Sequence, residues 1–263
     1  MKYSFQILFM LLIAAPITSA QQAALTPPEP FPVDKVLGPT GARLALGLYG
    51  GIISNDHTGK FTLSEDGILC CQFDGSSGFG PTVALRAEYF LNRKETRGFT
   101  ARLAWEDQSA EFESAVEQLL IFGQDNRPEQ ANFQNKLDAS LSAISFSLLF
   151  MFKLIDLDLY VSAGPSLTYF ASPSFDENEQ ILGPTGMTYL DGTTELSLPD
   201  IPVNNIESTY FAFIGGLDLR YPLSDKLSLG SEIFYRFPLT KITTNEDWKV
   251  SNLITTIGVS LSI

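Results

Sequence analysis

Cys70 and Cys71, the only cysteines, stand side by side, and His57 is the only histidine. A nucleophile–base pair, a metal centre or a redox bridge would have to draw on these few residues. Adjacent cysteines close only a small ring of unusual geometry, so Cys70–Cys71 is a candidate vicinal disulfide. The alternatives are two reduced thiols or bonds to another chain. A metal site needs more ligands: no third cysteine exists, and His57 is distant in the same segment. A rim-located hydrolytic site would need His57 beside an orienting acid. Its neighbour Asp56 would point the other way on a strand, so His57 reads as a solvated loop residue. Asp176, Glu177, Glu179, Asp191, Glu195, Asp200 and Glu207 fall in one stretch without Lys or Arg, but their spacing does not match an EF-hand loop. The expectation is a protein that is not an enzyme, with no cofactor and no metal.

A larger set of charged residues follows a period of two. Arg43, Arg86, Glu88, Arg102, Glu106, Asp158, Asp218, Arg220, Glu232 and Arg236 each alternate with apolar neighbours. In Arg86–Glu88, for example, Leu85, Ala87 and Tyr89 take the other face. A period of two means strands with one apolar face. Eight such runs are readable, at 42–53, 79–91, 98–106, 136–152, 156–169, 210–221, 227–239 and 251–263. In the last, Leu253, Ile257, Val259, Leu261 and Ile263 oppose Ile254, Thr256, Gly258, Ser260 and Ser262. In the fourth, Leu137, Ala139 and Leu141 are out of phase with Ile144, Phe146, Leu148, Phe150 and Phe152, which predicts a bulge or a different strand boundary there.

Residues 1–20 carry Lys2, a short apolar run and Thr18-Ser19-Ala20. This is a cleavable export signal, too short for the roughly 20 residues of a helical span. Residues 21–41 form a Pro-rich periplasmic lead-in, and residues 42–263 hold the strands. Net charge is −13, and removal of Lys2 with the signal leaves 16 basic against 30 acidic residues, or −14. Such a charge excludes nucleic acid as a partner.

Connections between the eight runs alternate long and short. Residues 54–78, 107–135, 170–209 and 240–250 are long; 92–97, 153–155 and 222–226 are short. This is the pattern of an all-β, transmembrane, antiparallel up-and-down barrel with short periplasmic turns and long extracellular loops. It predicts the outer membrane as location, with outer-membrane lipid and the barrel-insertion machinery as partners. The charged set then faces a lumen that eight strands leave just wide enough for side chains. A plugged lumen is the simpler reading, and a narrow channel the alternative. Tyr89, Trp105, Phe152, Tyr169, Tyr221 and Phe237, on the apolar faces near strand ends, predict interfacial girdles. In the third long loop, 187–190, Asp191-Gly192 and 193–198 predict a hairpin.

Four pieces carry a resemblance: Gly78-Phe79-Gly80 with Leu85-Arg86-Ala87-Glu88-Tyr89; Ser162-Ala163-Gly164-Pro165-Ser166-Leu167; Gly215-Gly216-Leu217-Asp218-Leu219-Arg220-Tyr221; and Ile257-Gly258-Val259-Ser260-Leu261-Ser262-Ile263. Together they resemble the PorT-like, OmpA-related family of small outer-membrane barrels. That resemblance implies a structural or interaction role, as a membrane anchor or as an accessory of an envelope or secretion complex.

Overall fold

A computed structural model describes residues 44–263, except 66–67, 93, 123–127, 156–157, 190, 202–205 and 245. The export signal, the Pro-rich lead-in and Arg43 lie outside the described residues. β1 (Leu44–Thr58), β4 (Ser76–Phe90), β5 (Arg97–Asp107), β8 (Pro128–Ile155), β9 (Leu159–Gly183), β11 (Thr209–Pro222), β12 (Leu227–Pro238) and β13 (Lys249–Ser262) are the long strands. Each pairs antiparallel with the next, and β13 returns to β1, so the eight close into a ring. Closure leaves no edge within the barrel, the condition for backbone to cross hydrocarbon. The shorter strands lie in the long connections: β2 (Phe61–Glu65) with β3 (Ile68–Phe73), β6 (Ala110–Glu113), β7 (Glu117–Phe122) and β10 (Glu195–Leu198).

Burial follows the period of two. On β1, Leu44, Leu46, Leu48 and Ile52 are exposed, while Ala45, Tyr49, Ile53, Asn55 and His57 are buried. The other long strands repeat this, giving an exterior of Leu, Ile, Val and Phe over a filled interior. No soluble protein leaves such a continuous apolar surface in water. The exterior aromatics sort by strand direction into two belts. Tyr89, Phe152 and Tyr221 sit at the end bearing the short turns, and Trp105, Tyr169 and Phe237 at the other.

The bulge is on a different strand from the one expected. Leu137, Ala139, Leu141, Ala143, Ser145 and Ser147 are all buried, so β8 keeps one unbroken phase. What changes is the chemistry of the inside, from polar within the membrane to apolar above it. Of three register slips between β8 and β9, the one at this level lies between Ser142–Ser172 and Ala143–Phe170, which puts the extra residue, Ala171, on β9. Inward positions on β9 are accordingly even up to Phe170 and odd at Phe175 and Glu177.

The third loop differs as well. Asp191-Gly192 does form a turn, with Gly192 at φ 85°, but 187–189 is not strand. β10 pairs instead with the outer part of β9, Glu195 facing Gln180 and Leu198 facing Glu177.

Close strand approach needs small residues at a few inward positions. A Cβ at Gly258 would stand 2.5 Å from Tyr49 Cδ1, one at Gly230 2.5 Å from Tyr49 Oη, and one at Gly47 2.7 Å from Tyr49 Cε2. Three strands therefore leave side-chain space for one buried ring.

Ile257 is 61% exposed at mid-strand, opposite Gly50 and Ser231. Ile257→Arg is expected to cost about 2–4 kcal/mol of folding free energy in bilayers, measured by urea titration. Arg at the exposed loop residue Ser208 is expected to cost nothing measurable. Equal tolerance at both sites would invert the register.

Candidate functional site

The charged inward side chains converge on the barrel axis because of how the walls pair. Arg86 on β4 lies directly opposite Arg102 on β5, and Asp218 on β11 directly opposite Glu232 on β12. Like charges facing each other across a strand pair are unfavourable. Glu88 and Glu106 on β4–β5, and Arg220 and Arg236 on β11–β12, balance each wall in sum, so pairs within a wall join pairs across the lumen. Arg86 Nη2 donates to Asp218 Oδ2 at 2.6 Å, Arg86 Nη1 donates to Glu232, and Arg86 Nε stands 2.5 Å from Glu88 Oε1. Arg220 Nη1 contacts Glu88 Oε2 at 2.6 Å, and its Nη2 contacts Asp218 Oδ2 at 2.8 Å. The Arg220 guanidinium lies 4.3 Å over the Tyr160 ring, closing the periplasmic end with Phe90.

A second centre stands nearer the outside. Glu106 receives both Arg236 amino groups, at 2.6 and 2.8 Å, with further donation from Ser145 and Gln108. Arg102 joins the two centres, 3.3 Å from Glu106 and 3.9 Å from Glu232. Thr256 donates to Glu232 at 2.7 Å. The four arginines Arg86, Arg102, Arg220 and Arg236 thus meet the four carboxylates Glu88, Glu106, Asp218 and Glu232, a neutral set with almost no solvent exposure. Buried charge is tolerated only in such paired, hydrogen-bonded form.

Asp158 does not join them. It stands in the turn between β8 and β9 at φ 54° and pairs with Lys153 at the periplasmic rim. β9 begins only at Leu159, so the alternating run read from residue 156 starts three residues too early and takes in Asp158. Nor is the interior uniformly polar: Ile53, Leu149, Ile214, Phe234 and Ile254 pack together inside.

Above the charges a hydrogen-bonded tier leads outward. Asn252 accepts from Arg236 at 3.2 Å and donates to Asn55 at 2.9 Å, and Tyr210 reaches Gln108 and Asn252 at 3.1 and 3.2 Å. His57 stands at the top of this tier and is buried, not solvated in a loop. β1 runs on past the apolar band, whose last outward member is Ile52, and alternation turns His57 inward. Trp248 Nε1 donates to His57 Nδ1 at 3.2 Å. Nδ1 is therefore the acceptor, and Nε2 carries the proton given to the Gln108 carbonyl at 3.0 Å. Phe61 of the β2–β3 hairpin stacks on Trp248, centroids 4.1 Å apart at 8°, with Phe112 edge-on at 5.3 Å. Glu246 pins this hairpin by accepting from Thr62 N at 2.8 Å. An aromatic cap so covers the outer mouth.

Cys71 lies in that cap, buried and disulfide-bonded, with Asn135 Nδ2 donating to its sulfur at 2.9 Å. The side chain of Cys70 lies outside the described residues. The third-loop acids are dispersed. Glu179 accepts from Tyr189 at 2.5 Å, Asp191 accepts from Thr193 N at 3.0 Å, and Asp176 accepts from Asp200 N at 3.0 Å. Among the described residues no three His, Cys, Asp or Glu are placed to hold a metal.

The sequence reading did not single out Tyr49, Tyr160, Gln108, Tyr210, Asn252, Thr256 or Trp248. The first six fall on the inward phase of their strands or its continuation, where alternation already places Thr256, a usable signal; Trp248, just ahead of β13, gives none.

No protein-family model matches the chain, and no curated protein matches it. Among solved structures it is similar to the attachment invasion locus protein Ail of Yersinia pestis, at 14% identity over 83% of this chain and 98% of that one, TM-score 0.33. It is also similar to the outer membrane protein OprG of Pseudomonas aeruginosa, at 13% identity over 85% and 98%, TM-score 0.39. A third is neisserial surface protein A, at 12% identity over 82% and 97%, TM-score 0.32. The chain's own closed ring and apolar exterior define its class: an integral outer-membrane protein built as an eight-stranded β-barrel.

Arg236→Met strands Glu106 beside Arg102 alone, at an expected cost of about 3–5 kcal/mol. Adding Glu106→Gln is expected to restore most of it; thermal unfolding of the single and double variants in lipid gives the comparison. A double variant no more stable than Arg236→Met would show that the pair is not a unit.

Burial lowers the His57 pKa to about 4, against the opposing pull of the Gln108 carbonyl. In an opened cap His57 would return to about 6.5. Between those values the open form binds a proton the closed form refuses, so the closed cap loses stability as pH falls from about 6.5 to about 4. The full loss is about 3 kcal/mol. With Trp105→Phe as background, Trp248 emission is expected to shift red over that interval and to lose the shift in His57→Gln. Emission unchanged down to pH 4 would contradict the coupling.

Proposed function

We propose that this barrel is a closed, non-catalytic anchor that presents an extracellular sheet to protein partners. The observation that carries this reading is the lumen. A neutral set of paired charges fills the membrane-level interior, and the aromatic cap stands above it. Transport would need a continuous wet path, and eight strands leave little room for one. Both nitrogens of the sole histidine are engaged, by Trp248 and by the Gln108 carbonyl, which supports a structural role for it. The partners proposed are outer-membrane lipid around the apolar exterior, the barrel-insertion machinery during assembly, and a protein of the envelope. The resemblance to PorT-like proteins adds a secretion complex as the setting.

Reconstituted into planar bilayers, the protein is expected to show no steady current, and Glu232→Ala to lower its stability without opening a pore. A stable single-channel current in wild type, altered by Glu232→Ala, would reject the anchor in favour of a channel.

A further inference from the structure

β8 and β9 do not stop at the membrane. β8 begins at Pro128 and β9 ends at Gly183, and their outer parts pair from Asn132–Gly183 downward. β6 and β7 lie along β8 on one side and β10 along β9 on the other, extending the sheet beyond the lipid. Among the described strands, β7 pairs only with β8 and β10 only with β9. Each leaves one edge of backbone N–H and C=O groups unpaired.

Such edges pair with any available strand unless they are short, charged or interrupted by Pro. β10 is short: four residues opening on Glu195. β7 is not protected in this way. It reads Glu117-Gln118-Leu119-Leu120-Ile121-Phe122, with its single charge at the first position. Leu119 is 49% exposed and Leu120 76% exposed. Lipid does not account for them. β7 pairs with 128–133 of β8, more than ten residues before Ile144, where the lipid-facing series on that strand begins. Alternation and register put Leu119 and Ile121 on the face of Ala131 and Phe133, and Phe133 meets Ile181 of β9. The edge thus borders an apolar strip.

Its surroundings are negative. Residues 107–135 contain six acids and one base, Arg127, and residues 170–209 contain seven acids and no base. Glu117 and Glu129 flank the edge itself, and Lys136 is taken up by Glu113 at 3.4 Å. A field of this sign draws cations and repels another acidic chain, a second copy included.

We propose that the open edge of β7 is a strand-addition site for an extended, cationic, amphipathic segment of a partner protein. The partner's backbone continues the sheet. Its apolar residues lie over Leu119 and Ile121, and a basic residue stands across from Glu117. Recognition of this kind takes affinity from main-chain hydrogen bonds and selectivity from alternate side chains. The inference rests on the anchor reading and specifies its partner.

The test uses the whole protein in lipid nanodiscs and an eight-residue peptide carrying Val, Val and Lys at successive alternate positions, to stand beside Ile121, Leu119 and Glu117, with Thr between them, carbon-13 labelled in its backbone. The same peptide with Glu in place of Lys is the control. The cationic peptide is expected to bind, to weaken with salt, and to show the infrared amide band of a paired strand. Glu117→Gln should weaken binding about fivefold, the upper end for one cross-strand pair. Leu119→Lys, at a half-exposed position on the face the partner covers, should abolish it while leaving the heat-modifiable gel shift of the folded barrel intact. Equal binding of the acidic peptide would overturn the proposal. So would indifference to both substitutions, or a protein dimer lost in Leu119→Lys. A conducting pore would reject the anchor reading alone, and failure of the peptide to bind a non-conducting barrel would reject the edge site alone.

Discussion

The interaction on which the rest depends is the ion pairing across the lumen between β4–β5 and β11–β12. Arg86 beside Arg102 and Asp218 beside Glu232 are each unfavourable within their own strand pair. Glu88 and Glu106 offset part of this on β4–β5, and Arg220 offsets part of it on β11–β12. The two strand pairs are stabilised when ring closure sets them face to face, with Arg86 reaching Asp218 at 2.6 Å. The contact spans 132 positions of sequence. Register, closure and charge pairing become one event, because a slip of one residue on any of these strands would turn a charge out into lipid.

The interior is layered as a consequence. At membrane level, charge is admissible inside because it is paired and because lipid outside forbids it there. Above the lipid that constraint ends, and the same inward phase of β8 carries Leu137, Ala139 and Leu141 into the aromatic cap. The cap resembles the core of a soluble protein: Trp248, Phe61, Phe73 and Phe112 around a neutral His57. Its stability responds to proton activity, whereas the charge layer is held by Coulombic pairing. Opening the outer mouth and opening the lumen are therefore separable events.

Beyond the cap, the long β8 and β9 lift a sheet clear of the membrane. A closed barrel has no edges, so any strand-mediated recognition has to occur where strands outrun the ring. β7 and β10 are two places where they do so, and of the two only β10 is short enough to be protected.

Much of this was legible in the residues. The eight barrel strands, their inward and outward faces and the alternation of long and short connections follow from a period of two and from turn composition, which are local properties. So does the membership of Arg86, Glu88, Arg102, Glu106, Asp218, Arg220, Glu232 and Arg236 in one inward set. Asp158 shows the limit of that reading, because periodicity does not mark the residue at which a turn ends. The bulge shows another: an inward face that changes from polar to apolar looks, in one dimension, like a shift of phase. Which arginine meets which carboxylate, the burial of His57 under Trp248 and the exposed edge of β7 were settled only by tertiary structure. Each depends on residues far apart in sequence being brought together by ring closure, and a one-dimensional pattern records on which face a side chain lies but not what stands across from it.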